Sequence, residues 1–210
     1  MTDSGLWAAA AVCALFYGLL LVERPPSFMR AVVKTAATGA LAVLAYWQGG
    51  GPLLAIALAL CAVGDAFLAG DPERWLPFGL AAFLAGHVAY ALLFWKERGT
   101  VDALFWATAP LVVAAAAVML WRLWPALGAL RPAVVAYVAA IVAMVTLSLL
   151  LPHARWPAAL GALAFMTSDA VLSFDLFMGA RLAGSTRLTA WAVWFLYFGG
   201  QALIAYGMLR

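Results

Sequence analysis

Long apolar stretches separated by short polar breaks organise this chain. Apolar runs lie at about 6–22, 31–47, 53–69, 76–95, 102–121, 132–151, 157–176 and 189–209. Each approaches the roughly 20 residues that a helix needs to cross a bilayer. The runs are continuously apolar and rich in Ala and Leu, whereas the strands of a membrane β-barrel would be about 10 residues long and alternate in polarity. The pattern therefore predicts helices. Turn-forming residues mark the breaks: Pro25–Pro26, "QGGGP" at 48–52, "DPERW" at 71–75, "KERGT" at 96–100, "WPALGALRP" at 124–132, "LPHARWP" at 151–157 and "GARLAGSTR" at 179–187. Pro110 falls inside the fifth run and predicts a kink there. Trp47, Trp75, Trp95, Trp124 and Trp156 stand at segment ends, as in an aromatic belt. No segment is long enough for a separate soluble domain. Residues 1–210 read as one all-α integral membrane domain, a bundle of eight transmembrane helices.

Composition agrees. Of 210 residues 68% are hydrophobic and 10% charged, against about 25% charged in soluble domains. The net charge of +3 would suggest a nucleic-acid partner in a soluble chain, but here the positive residues sort by loop, and none is expected. Arg24, Arg30, Lys34, Arg74, Arg122, Arg131, Arg181 and Arg187 belong to one side; Lys96, Arg98, Arg155 and Arg210 belong to the other. The positive-inside rule then puts both termini outside. Arg far outnumbers Lys and Ala is abundant, which suggests a bacterial inner (plasma) membrane. The start, "MTDSGLWAAA", lacks the positive region of a signal peptide, so the first helix is expected to stay in the mature chain. Cys13 and Cys61 fall inside apolar runs and read as small apolar fillers.

An internal similarity adds symmetry. "DAFLAGD" at 65–71 matches "DAVLSFD" at 169–175, and "FLAGH" at 83–87 meets "YFGGQ" at 197–201. The third and fourth segments thus pair with the seventh and eighth. An offset of four helices preserves direction, so the halves would be two parallel four-helix repeats.

Few ionisable groups lie well inside the segments: Lys34, Asp65, His87 and Asp169. An Asp or Lys near a helix centre costs about 2.5–3.5 kcal/mol on insertion scales, and such residues face the bundle interior and usually mark function. Under the charge-derived topology all four fall in the inner half. Asp65 is roughly 6 Å of helix rise from the inner end of its segment and Asp169 roughly 10 Å. Tyr90 follows His87 by three residues, Ser173 follows Asp169 by four and Thr38 follows Lys34 by four, each on a shared face. Gln201 adds a buried hydrogen-bonding group. The plainer reading of Ser173, Thr38 and Gln201 is interhelical glue, and of Lys34 a side chain reaching for the interface. Asp71, Glu73, Asp175 and His153 read as solvated charges. Two carboxyls close together in a medium of low dielectric can share one proton, which leaves an acid beside a base. A three-histidine zinc site is excluded by the one membrane histidine, and no metal or cofactor is expected. There is no nucleophile elbow, phosphate loop or nucleotide fingerprint. A proton-coupled transporter or small carrier using the same buried carboxyls, and a lipid-binding scaffold, remain as alternatives to an enzyme.

At these residues the chain resembles the YhhN-type lysoplasmalogenases, small multi-pass membrane hydrolases. The resemblance runs from about residue 30 to the end and rests on "VVKTA" around Lys34, "GDAFLA" at 64–69, "FLAGHVAYALLF" at 83–94, "ALAFMTSDAVLSF" at 162–174 and "YFGGQALI" at 197–204. The family's usual Lys-Pro-Leu in the second helix is Lys-Thr-Ala here. The resemblance implies hydrolysis of the vinyl ether bond of lysoplasmalogens, giving a fatty aldehyde and glycerophosphocholine or glycerophosphoethanolamine. The reading of the residues fits this chemistry, with Asp65 and Asp169 expected as the acid and the base or electrostatic stabiliser, in either order, and His87 and Tyr90 orienting water or tuning the pair. Lys34, Tyr90, Gln201 and Ser173 are then expected around the lysophospholipid substrate, Lys34 meeting its phosphate.

Overall fold

The computed structural model describes residues 3–210, the side chains of Pro72 and Glu73 excepted; the solvated charge expected at Glu73 lies outside the described residues. Eight helices follow in order: α1 Asp3–Phe16, α2 Phe28–Trp47, α3 Pro52–Leu68, α4 Pro72–Lys96, α5 Ala103–Leu123, α6 Arg131–Ser148, α7 Trp156–Met178 and α8 Thr186–Met208. Seven helical segments are long and apolar enough to cross a membrane, making this a multi-pass membrane bundle. The remaining one, α3, has 17 residues, about 26 Å of rise, and Asp65 sits in its last turn.

Local chemistry fixes the boundaries. The side chains of Ser27, Asp102 and Ser185 accept hydrogen bonds from Arg30 N, Phe105 N and Leu188 N, capping α2, α5 and α8. Proline opens α3, α6 and α7, where its missing N–H costs nothing. Gly179 ends α7 at φ 63, and the Gly179 and Ala180 amides return to the carbonyls of Asp175 and Phe174. Two details differ from the apolar pattern. "DPERW", read as a break, is the first turn of α4, because proline is accepted there. The first run does not end as a plain α-helix: Tyr17–Leu21 forms a wider π turn, and the carbonyl of Ala14 in the turn before it accepts from Trp194 Nε1 at 2.9 Å.

The α3–α4 and α7–α8 pairs close at matching positions. At Gly86 in α4 a Cβ would lie 2.9 Å from Cys61 Sγ and 3.4 Å from the Ala57 carbonyl; at Gly200 in α8 it would lie 2.7 Å from the Gly161 carbonyl and 3.0 Å from Phe165 N. Ala57 and Cys61 align with Gly161 and Phe165 in the internal match, so the same positions let α4 close on α3 and α8 close on α7. The main core runs through α1–α4 and α6–α8, with Val112 from α5. A smaller cluster of Ala116, Leu123, Leu127, Val134 and Val138 joins α5 and α6. Leu104, Trp106, Leu111 and Trp121 of α5 point outward, as suits a face solvated by lipid.

Candidate active site

Asp65 stands where two other helices deliver donors to it. Thr38 Oγ1 from α2 and Tyr197 Oη from α8 each donate to Oδ2 at 2.7 Å. Lys34 Nζ, one turn before Thr38, lies 3.3 Å from Oδ1. The neighbouring glycine makes this possible. A Cβ at Gly64 would stand 2.6 Å from the Phe83 ring, so glycine lets that ring lie flat on α3. Phe83 in turn meets Tyr197 edge-on at 5.6 Å and holds its hydroxyl on target. The Asp65 side chain is fully buried; Oδ2 accepts two hydrogen bonds and Oδ1 faces the Lys34 ammonium as an ion pair.

Asp169 has a different setting. Tyr137 of α6 donates to Oδ2 at 2.6 Å, and His87 Nε2 of α4 faces the same oxygen at 3.8 Å, too far for a direct hydrogen bond. His87 is sealed between aromatic rings, 4.7 Å from Phe165 and 5.0 Å from Tyr137. The Asp169 side chain is 16% exposed, and no Lys or Arg pairs with it among the described residues. The two carboxylates therefore have separate partners, and none of the hydrogen bonds among the described residues joins them. The directly shared proton expected from the sequence is replaced by two cages facing one space. The cages exchange helices between the halves: Asp65 on α3 uses α2 and α8, and Asp169 on α7 uses α6 and α4.

That space is a cavity of about 270 Å³ lined by both carboxylates, Lys34 and Ser173. Its far wall is apolar, with Met119, Val134, Val138, Ile141, Met166 and Phe177. Tyr17 and Arg30 also line it. A pocket of this size, with a mostly apolar lining and a few charged side chains, suits an amphiphile with a single chain.

The expected residues divide. Lys34, Asp65, Asp169 and Ser173 line the cavity, and His87 stands behind Asp169. Tyr90 and Gln201 do not line it: both are fully buried, and Tyr90 Oη donates to Gln201 Oε1 at 2.5 Å. Three residues along a helix is a net offset of about 60°, and the Tyr90 hydroxyl reaches Gln201 on α8 rather than the cavity. Lys34 is neither at the interface nor free for a phosphate, since Asp65 occupies it. Thr38, read as glue, is a donor to the buried carboxylate. Sequence reasoning missed Tyr17, Arg30, Tyr137 and Tyr197. One signal was present, since Tyr197 takes the place of Phe83 in the internal match. Among the described residues no three of His, Cys, Asp and Glu gather into a metal-binding group.

The family model described as YhhN matches residues 29–208. Proteins named lysoplasmalogenase from Mycobacterium bovis and Mycobacterium tuberculosis are each 32% identical to this chain, over 97% of its length and 84% of theirs. No solved structure is significantly similar to it.

Proposed function

The chain belongs to the YhhN family, and from that premise we propose that it is a lysoplasmalogenase, hydrolysing the vinyl ether of a lysophospholipid to a fatty aldehyde and a glycerophospho-alcohol. The observation that carries the reading is the pair of unlike carboxyl groups on the wall of one amphiphilic cavity. Vinyl ether hydrolysis begins with proton transfer to carbon and needs a placed general acid. Asp169 fits that role: no cation holds it ionised, and it is open to the cavity. Its proton goes to the vinyl carbon remote from the ether oxygen, and the π electrons form the new C–H bond. The oxocarbenium ion so formed faces the anion Asp65, kept ionised by Lys34, Thr38 and Tyr197. Water adds to the cationic carbon and gives a proton back to Asp169. His87, sealed behind Asp169 with Nε2 3.8 Å from Oδ2, tunes that carboxyl without touching the substrate. The hemiacetal then breaks to aldehyde and alcohol.

The chemistry leaves a label. In D₂O the aldehyde should carry one deuterium on the carbon next to the carbonyl, and an ester lysolipid should release no fatty acid. Fatty acid release alone, or unlabelled aldehyde, would rule the mechanism out. The charge bias of the loops further supports a bacterial plasma membrane location with both termini outside. Reporter fusions at each end read this directly, and a cytoplasmic signal from either would reverse the orientation.

A further inference from the structure

We propose that Arg30 is the seat of the substrate's phosphodiester group. The proposal rests on the vinyl ether reading above. Two cations line the cavity, Lys34 and Arg30, and Lys34 is committed to Asp65 at 3.3 Å. Arg30 has no carboxylate partner among the described residues. Its Nε donates to Tyr17 Oη at 3.2 Å and its Nη1 to the Arg24 carbonyl at 2.8 Å. Both partners are neutral, so a half-buried positive charge is left without a counter-charge, which is costly until an anion arrives. Of five N–H donors in the guanidinium, most remain for a phosphate, the group that this planar fork suits.

Other carboxylates are spoken for. Asp175, also on the cavity wall, pairs with Arg181 at 3.3 Å, and Glu23 pairs with Arg187 at 3.5 Å. Neither neutralises Arg30. The seat is also built rather than incidental. Tyr17, which aims Arg30, is buried, stands in the π turn, and packs on Trp194 at 4.4 Å. Trp194 is itself fastened to the Ala14 carbonyl.

The spacing fits the chemistry. Arg30 precedes Lys34 by four residues on one face of α2, so it lies about 6 Å nearer the helix end than the cation held on Asp65. A lysoplasmalogen separates its vinyl ether oxygen from its phosphate oxygen by the three carbons of glycerol. A vinyl ether beside the two carboxyls thus brings its phosphate to Arg30, while the alkyl chain follows the apolar wall.

A phosphate at this height could also belong to a bulk lipid. The test uses ligands that cannot be cleaved: 1-alkyl-glycerophosphoethanolamine and 1-alkylglycerol, which share the chain and glycerol and differ in the phosphate. Their affinities for the wild type, Arg30→Gln and Arg30→Lys in nanodiscs give a ratio that does not depend on the fraction of active protein. The wild type should favour the phosphate ligand about ten- to hundredfold, as expected for hydrogen bonds to a charged group. Arg30→Gln should bring the ratio close to one, and Arg30→Lys should keep part of it. An unchanged ratio in Arg30→Gln means that Arg30 holds bulk lipid or only the loop, and overturns the proposal. If Arg30→Gln does not fold, an unchanged ratio in Arg30→Lys overturns it equally. Aldehyde release from the vinyl ether is scored in parallel: its absence alongside the expected ratios defeats the hydrolase reading and leaves the phosphate seat standing.

Discussion

Asp65 and Asp169 begin from the same local sequence, Asp-Ala-x-Leu-x-x-Asp, and end in opposite circumstances. One is locked to Lys34 and two hydroxyl groups; the other has the Tyr137 hydroxyl and an open side toward the cavity. Their local motif is alike, so the division of labour comes from what other helices bring. Removing the Tyr137 hydroxyl should be felt in the chemical step more than in binding. Tyr137→Phe is expected to lower kcat about tenfold with little change in KM, the size of one hydrogen bond to a charged group; a KM effect alone would place Tyr137 with the substrate instead. The four ionisable residues were legible in the sequence because their cost in a membrane demands an explanation. The tyrosines were not, since a phenol in an apolar run is indistinguishable from packing until a partner is seen. Tyr90 shows the reverse: its spacing from His87 is that of a shared face, but its hydroxyl is taken up by Gln201 away from the cavity.

Between elements, close approach at glycine sets the geometry that brings the cages together. A Cβ at Gly200 would stand 2.7 Å from the Gly161 carbonyl, while one at Gly199 meets nothing within 4 Å. Gly200→Ala should therefore lower stability by about 1–3 kcal/mol, as overpacking does. Gly199→Ala should be neutral or stabilise by up to about 1 kcal/mol, as helix propensity alone would have it. Thermal unfolding of the two variants in detergent compares them; equal melting points would mean that α8 does not need to sit this close to α7. Helix number and limits were readable because hydrocarbon thickness dictates run length. The π turn at Tyr17–Leu21 was not: an apolar run has the same composition whether its turns are α or π, and the Trp194–Ala14 hydrogen bond beside it joins residues far apart in the chain.

For the whole molecule, the eight helices enclose one cavity lined mostly by apolar side chains, with both carboxyl groups on its wall. The membrane supplies such a pocket with its substrate by solvating the alkyl chain up to the point of entry. The account then stands on both carboxyls taking part in one reaction. The most direct measurement is single-turnover aldehyde release from a lysoplasmalogen by Asp65→Asn and Asp169→Asn, each shown to be folded by its wild-type melting profile. Each amide keeps the shape of the group it replaces and removes its ionisation, so each variant should be slower than the wild type by roughly a hundredfold or more. Release within about twofold of wild type from either folded variant would contradict the account.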